Sequence, residues 1–142
     1  MAFDPKNFYE LAQWLVNQGR DESGLRTAIS RVYYSAHHIA LERLTQKNWI
    51  TPTGTGADHD SVIRELRNRR TRQLGDNLRR LLELREHADY HLDVALSERN
   101  SKCFLCKRIR DSATPNADPV NKTHWDEVAA VSGRCIPLLE KN

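Results

Sequence analysis

Arg85, Asp89, Tyr90 and His91, all within one short stretch, are the residues of this chain whose types and spacing suit chemistry. Arginine's planar fork can hold two phosphate oxygens at once. Histidine, with an unperturbed pKa near ~6.5, serves as acid or base around neutrality. Arg85 is also oddly placed: Leu74, Leu78, Leu81, Ala88 and Leu92 recur at intervals of three, four and seven, as one face of an amphipathic helix requires. Projected at about 100° per residue, Arg85 falls near the centre of that face. A guanidinium there is desolvated unless a carboxylate, a phosphate or a partner subunit meets it. Asp89, one turn on and with Tyr90 beside it, is the intrachain candidate, forming an ion pair that specifies packing. His91 stands six positions after Arg85, roughly 120° away around an unbroken helix. The two side chains converge only if the helix bends or a second copy of the chain supplies the other half.

Other constellations are weaker. His87 and His91, four apart, make half of a metal site, with no carboxylate clearly placed to complete it. Cys103 and Cys106 form a C-x-x-C that Cys135 and His124 would have to complete, but the spacing matches no zinc module, and the cysteines read more simply as small core residues. Neither a metal nor a cofactor is expected. Gly54-Thr55-Gly56 lacks the lysine and preceding strand of a phosphate cradle and reads as a flexible connector. His37 lies on the apolar side of its helix as a core histidine.

The elements that position these residues are all helical, because no segment keeps the two-residue alternation of a strand. A first helix is capped by Asp4, has Pro5 at its first position, buries Phe8, Leu11, Ala12 and Leu15, and stops at Gly19. A second runs from near Asp21 to about Lys47, burying Leu25, Ala28, Ile29, Val32, Ala36, Ile39 and Ala40, with Tyr33, His37 and Leu44 widening the face. Residues 51–58 are a loop, after which Asp58 caps a third helix with His59, Val62, Ile63 and Leu66 on one face. An arginine-rich turn at residues 67–72 leads into the Arg85 helix, from about Arg72 to Asp93. A fifth helix capped by Ser97, a second loop at 111–121 and a sixth helix opened by Thr123 follow. Long helices on short connections imply an all-α, antiparallel up-and-down four-helix bundle with additional short helices. The bundle core covers about 5–111 and a last helix about 123–140, within one domain.

Composition agrees. The chain has 142 residues, 29% charged and 39% hydrophobic, enough for one domain with a real core. It shows no signal peptide and no membrane-length apolar run, so a cytoplasmic location is expected. Three cysteines fit a reducing compartment. The net charge of +3 is uneven: Arg67, Arg69, Arg70, Arg72, Arg79 and Arg80 crowd one segment. That crowd forms either a basic field suited to RNA phosphates or simply a solvated face.

The second helix, GLRTAISRVYYSAHHIALERL, followed by HDSVIRELR and LLELREHADYHLD, resembles the prokaryotic HEPN-domain family, in particular its compact branch with Leu-Arg-x-x-Ala-Asp-Tyr on the fourth helix. The resemblance runs from about Phe8 to Ile109. It implies a commonly dimeric helical bundle, active members of which are metal-independent RNases used as toxins or defence effectors. Their Arg and His, with four to six residues between them, correspond to Arg85 and His91, with five between, as catalytic pair, with Asp89, Tyr90 and His87 in support. Two positions depart from the active pattern: Glu86 directly follows Arg85, and Asp93 stands two places after His91 where Tyr is usual. The alternative within the family is a non-catalytic module binding a nucleotide or a partner protein such as a small nucleotidyltransferase, with Arg85 and Asp89 structural.

Overall fold

The computed structural model describes residues 3–18 and 22–93, which form four α-helices. The expected fifth and sixth helices, the second loop, Gly19 and the three cysteines lie outside the described residues. The helices are α1 (Lys6–Gln18), α2 (Glu22–Gln46), α3 (Ala57–Asn68) and α4 (Arg72–Tyr90). Among the described residues there is no strand, and no helix is long and apolar enough to cross a membrane.

α1 begins as its sequence predicts. Asp4 Oδ1 accepts the Lys6 N–H at 3.0 Å and the Asp4 carbonyl accepts from Asn7, so one residue satisfies two of the helix's orphan donors. Ala12 is buried, but Leu11, expected in the core, is 42% exposed. Its neighbour on the same face, Trp14, is also exposed, so ordinary core packing does not account for that tryptophan.

α2 is the central element and touches each of the other three helices. Its buried residues include Ala28, Ile29, Val32, Tyr33, Ala36 and Ala40, a wider arc than one stripe. The small side chains Ala28, Ala36 and Ala40 let neighbouring helices approach closely. α2 ends in a Schellman motif: the Trp49 N–H reaches the Leu44 carbonyl at 3.0 Å and the Asn48 N–H reaches Thr45 at 2.9 Å. Asn48, at φ 58°, takes the left-handed position that glycine usually fills. The motif swings Trp49 back beside Leu44.

Asp58 does not cap α3 as expected. The helix starts one residue earlier, at Ala57, and Gly56 offers no side chain at its cap. Asp58 instead turns back to the loop, where its carboxylate accepts from the Thr53 hydroxyl (2.7 Å), the Thr53 N–H (2.9 Å) and the Gly54 N–H (2.9 Å). These bonds hold its pKa below the usual carboxylate value, against the opposing effect of burial. The segment expected as a flexible connector is therefore tied to the first turn of α3.

α2 and α4 run in opposite directions, since Arg26 reaches Ala88 and Tyr34 reaches Arg85 while Leu44 and Leu74 share the far end. α3 and α4 likewise oppose each other through Arg67 to Asp76 and Asp60 to Arg79. Gly75 is the close point of that second pair: a Cβ there would lie 2.7 Å from Arg67 Cγ and 3.0–3.1 Å from the Arg67 nitrogen and the Ile63 oxygen.

Candidate functional site

Arg85 lies between α4 and α2, and its side chain is 13% exposed. Leu78, Leu81, Leu84 and Ala88 around it are fully buried, so the chain does place a guanidinium at the margin of its core. Three groups meet it. Its Nη2 donates to the Tyr34 hydroxyl at 2.8 Å and to the Tyr90 hydroxyl at 3.4 Å. Its centre stands 5.2 Å from each tyrosine ring. Asp89 Oδ2 lies 3.0 Å from Nε but off the N–H direction, so Nε makes no hydrogen bond and the contact is an ion pair. Burial opposes the charge; Tyr34, Tyr90 and Asp89 outweigh it and raise the arginine's pKa. Nη1 has no partner among the described residues.

The network continues onto α2. Ser30 donates to Asp89 Oδ2 at 3.2 Å and accepts from Arg31 Nη2 at 3.3 Å. The Arg31 guanidinium lies 5.0 Å from the Phe8 ring and 5.1 Å from that of Tyr34. Two cations and one carboxylate thus alternate with aromatic rings along the α2 and α4 surfaces.

Below this layer is a histidine cluster. His37 is 3% exposed, packs against Tyr33 and His59 with ring centroids 5.7 and 4.5 Å away, and leaves its Nδ1 without a hydrogen bond. Burial first, then His59 and His38, push its pKa down to about 3, so it is neutral across the physiological range. Burial and the charge of Arg85 lower His59, and burial with His59 and Arg31 lowers His38. The Tyr33 hydroxyl meets His59 Nδ1 at 2.5 Å. Burial and Tyr34 raise the Tyr33 pKa, so the phenol keeps its proton and is the donor to a neutral imidazole.

His91 is not part of this assembly. α4 was expected to continue to Asp93 but ends at Tyr90, with His91 at the cap and Leu92, assigned to the apolar stripe, 71% exposed. The physical reason is Arg26. Its Nη1 donates to the carbonyls of Ala88 (2.8 Å) and His87 (3.2 Å) and reaches that of His91 at 3.5 Å, supplying a cation to the negative end of the helix dipole. The His91 ring stacks on His87 at 4.4 Å. Burial, then His91 and Arg26, lower the His87 pKa. No hydrogen bond, ion pair or ring contact joins Arg85 to His91 among the described residues. Nor is there any group of three or more His, Cys, Asp or Glu side chains placed to hold a metal ion among them.

Arg67 pairs with Asp76 at 2.8 Å, Arg69 with Glu65 at 2.7 Å, and Arg79 with Asp60 and Glu83, both at 3.4 Å. Arg70 and Arg72 are exposed and Arg80 is half-buried.

Sequence reasoning missed Tyr34, Ser30, His38 and Arg26. The signal was present: Ser30, Tyr34 and His38 repeat at four residues, a polar stripe beside the apolar one, and Arg85 needed hydrogen-bond acceptors. No protein-family model, no curated protein and no solved structure matches this chain.

Proposed function

We propose that the chain is a HEPN-like antiparallel four-helix bundle that acts as a non-catalytic binding module. Its Arg85 side chain grips a phosphate of a nucleotide, bound alone or presented by a partner such as a small nucleotidyltransferase. The observation that carries this reading is the state of Arg85: a fixed cation, held by Tyr34, Tyr90 and Asp89 and with Nη1 unused among the described residues. A preorganised guanidinium beside exposed Tyr90 is suited to an anionic oxygen and a flat ring. Acid–base chemistry is less well supported, because His91 stacks on His87 away from Arg85.

A second reading, a metal-independent RNase acting on single-stranded RNA, draws on the neutral His87 beside His91. It requires a homodimer in which Arg85 of one copy meets the histidines of the other.

The deciding experiment incubates a mixed-sequence RNA with chelator and the wild type, Arg85→Ala or His91→Ala, each verified as folded, alongside a calorimetric titration with ATP. The module reading expects no cleavage, and an ATP heat that Arg85→Ala abolishes and His91→Ala keeps. Cleavage by the wild type that both substitutions abolish overturns it in favour of the RNase.

A further inference from the structure

At the opposite end of α2 from Arg85, a cavity of about 450 Å³ opens between the end of α2, the turn after α3 and the start of α4. Its floor is apolar, made by Leu44, Leu66 and Leu74. Its rim is cationic: Arg43, Lys47, Arg69 and Arg70 line it, with no carboxylate among the lining residues. The Schellman turn at Asn48 places Trp49 as one wall. That ring is already covered, by the Arg69 guanidinium at 3.7 Å and the Lys47 ammonium at 4.8 Å.

These features select a ligand class. The volume lies within the range of small-molecule sites, which combine an apolar lining with a few charged groups that fix orientation. A nucleobase is less well served: the indole face is occupied by cations, the Thr71 hydroxyl is committed to the Leu66 carbonyl at 2.7 Å, and Asn68 is the lining side chain left with a carbonyl acceptor for base N–H groups. A bare phosphate would leave the leucine floor unmatched. We propose that this cavity binds an amphipathic monoanion, a carboxylate on an apolar body such as a medium-chain fatty acid. The apolar body lies on Leu44, Leu66 and Leu74, and the head meets Arg70 and its neighbours at the rim. The site is independent of Arg85 and of the function proposed above.

Calorimetric titration of the full chain with decanoate, below its micellar concentration, tests this. Saturable one-to-one binding is expected, with decanol at least about tenfold weaker for want of the charge. Each methylene removed on going to octanoate and hexanoate weakens binding about fourfold. Arg70→Ala, an exposed position, weakens decanoate about fivefold. Arg72→Ala, exposed but outside the lining, and Arg85→Ala, if folded, leave it unchanged. Absence of saturable binding, decanol equal to decanoate, adenosine monophosphate binding more tightly than decanoate, or Arg72→Ala weakening binding as much as Arg70→Ala would each overturn the proposal.

Discussion

The two ends of α2 hold the same ingredients, arginine against an aromatic ring, and do opposite things with them. At the Arg85 end the guanidinium is largely enclosed, and a carboxylate and two phenols answer its charge. At the Trp49 end Arg69 stacks on an indole and is joined by three more cations, with no acid lining the cavity. The difference lies in where the counter-charge falls: Asp89 sits within the Arg85 cluster, whereas Glu65, paired with Arg69 at 2.7 Å, lies outside the cavity lining. An arginine count therefore says little about binding until the counter-charges are placed.

Removing each arginine is the sharpest way to test that contrast. Arg85→Ala leaves Asp89 and the Tyr34 hydroxyl partly buried without their cation, and is expected to destabilise the chain by about 2–3 kcal/mol, below the cost of breaking a fully buried pair because Asp89 keeps some solvent. Arg70→Ala is expected to stay within about 0.5 kcal/mol. Urea midpoints decide it, and equal losses for the two variants would erase the distinction between the ends.

The second expectation is a pH effect confined to the Arg85 end. His37 is held at about 3 in the folded chain, against about 6.5 unfolded. A lowered histidine pKa means that the unfolded state binds the extra proton. The stability it reflects is complete above pH 6.5 and is lost as pH falls toward 3. Between pH 6.5 and 5 His37 contributes a loss of about 2 kcal/mol, and His59 and His38 act in the same direction. His37→Leu should flatten the slope of stability against pH, and an unchanged slope would remove His37 as its source. Decanoate binding at the other end should change over that interval only through protonation of the ligand's own carboxylate, because its rim is arginine and lysine.

A third, smaller effect concerns the helix pairing that both ends share. Alanine at Gly75 should favour the helix by about 1 kcal/mol on propensity alone, yet its Cβ would press on the Arg67 backbone nitrogen and the Ile63 oxygen, which cannot move aside as a side-chain tip can. A net loss of about 1–2 kcal/mol is expected in thermal unfolding, and a stabilised Gly75→Ala would show that α3 and α4 are not tightly apposed there.

How much of this was legible beforehand follows from the range over which each interaction acts. The four helices and the Asp4 cap came from local pattern, since periodicity and capping operate within a few residues. The partnership of Arg85 with Asp89 was legible for the same reason. Tyr34 lies 51 residues from Arg85 and Arg26 lies 62 from Ala88, so neither contact leaves a trace in any local window. Leu92 was misplaced because an apolar residue at helical spacing looks the same whether or not the helix reaches it. Arg26, from another element, takes over the terminal carbonyls. The cavity was hidden too: its floor looked like core and its rim like solvated surface, and only the turn at Asn48 brings them together.

The smallest effect is expected at Arg79, whose two ion pairs are both 3.4 Å long and exposed. Pairs of this kind contribute a few tenths of a kcal/mol, because water screens them and two long side chains must be ordered to make them. Arg79→Ala should lower the stability read from urea unfolding by less than about 0.5 kcal/mol, and the loss should vanish in 0.5 M salt. The Arg85→Ala loss should survive that salt, since the Arg85 side chain is only 13% exposed and one of its partners, Tyr34, is half-buried on α2. Salt sensitivity is thus the cleanest separator of the two kinds of arginine: an Arg85 effect that salt abolishes would place that residue with the surface pairs and leave its stripe position without an energetic role.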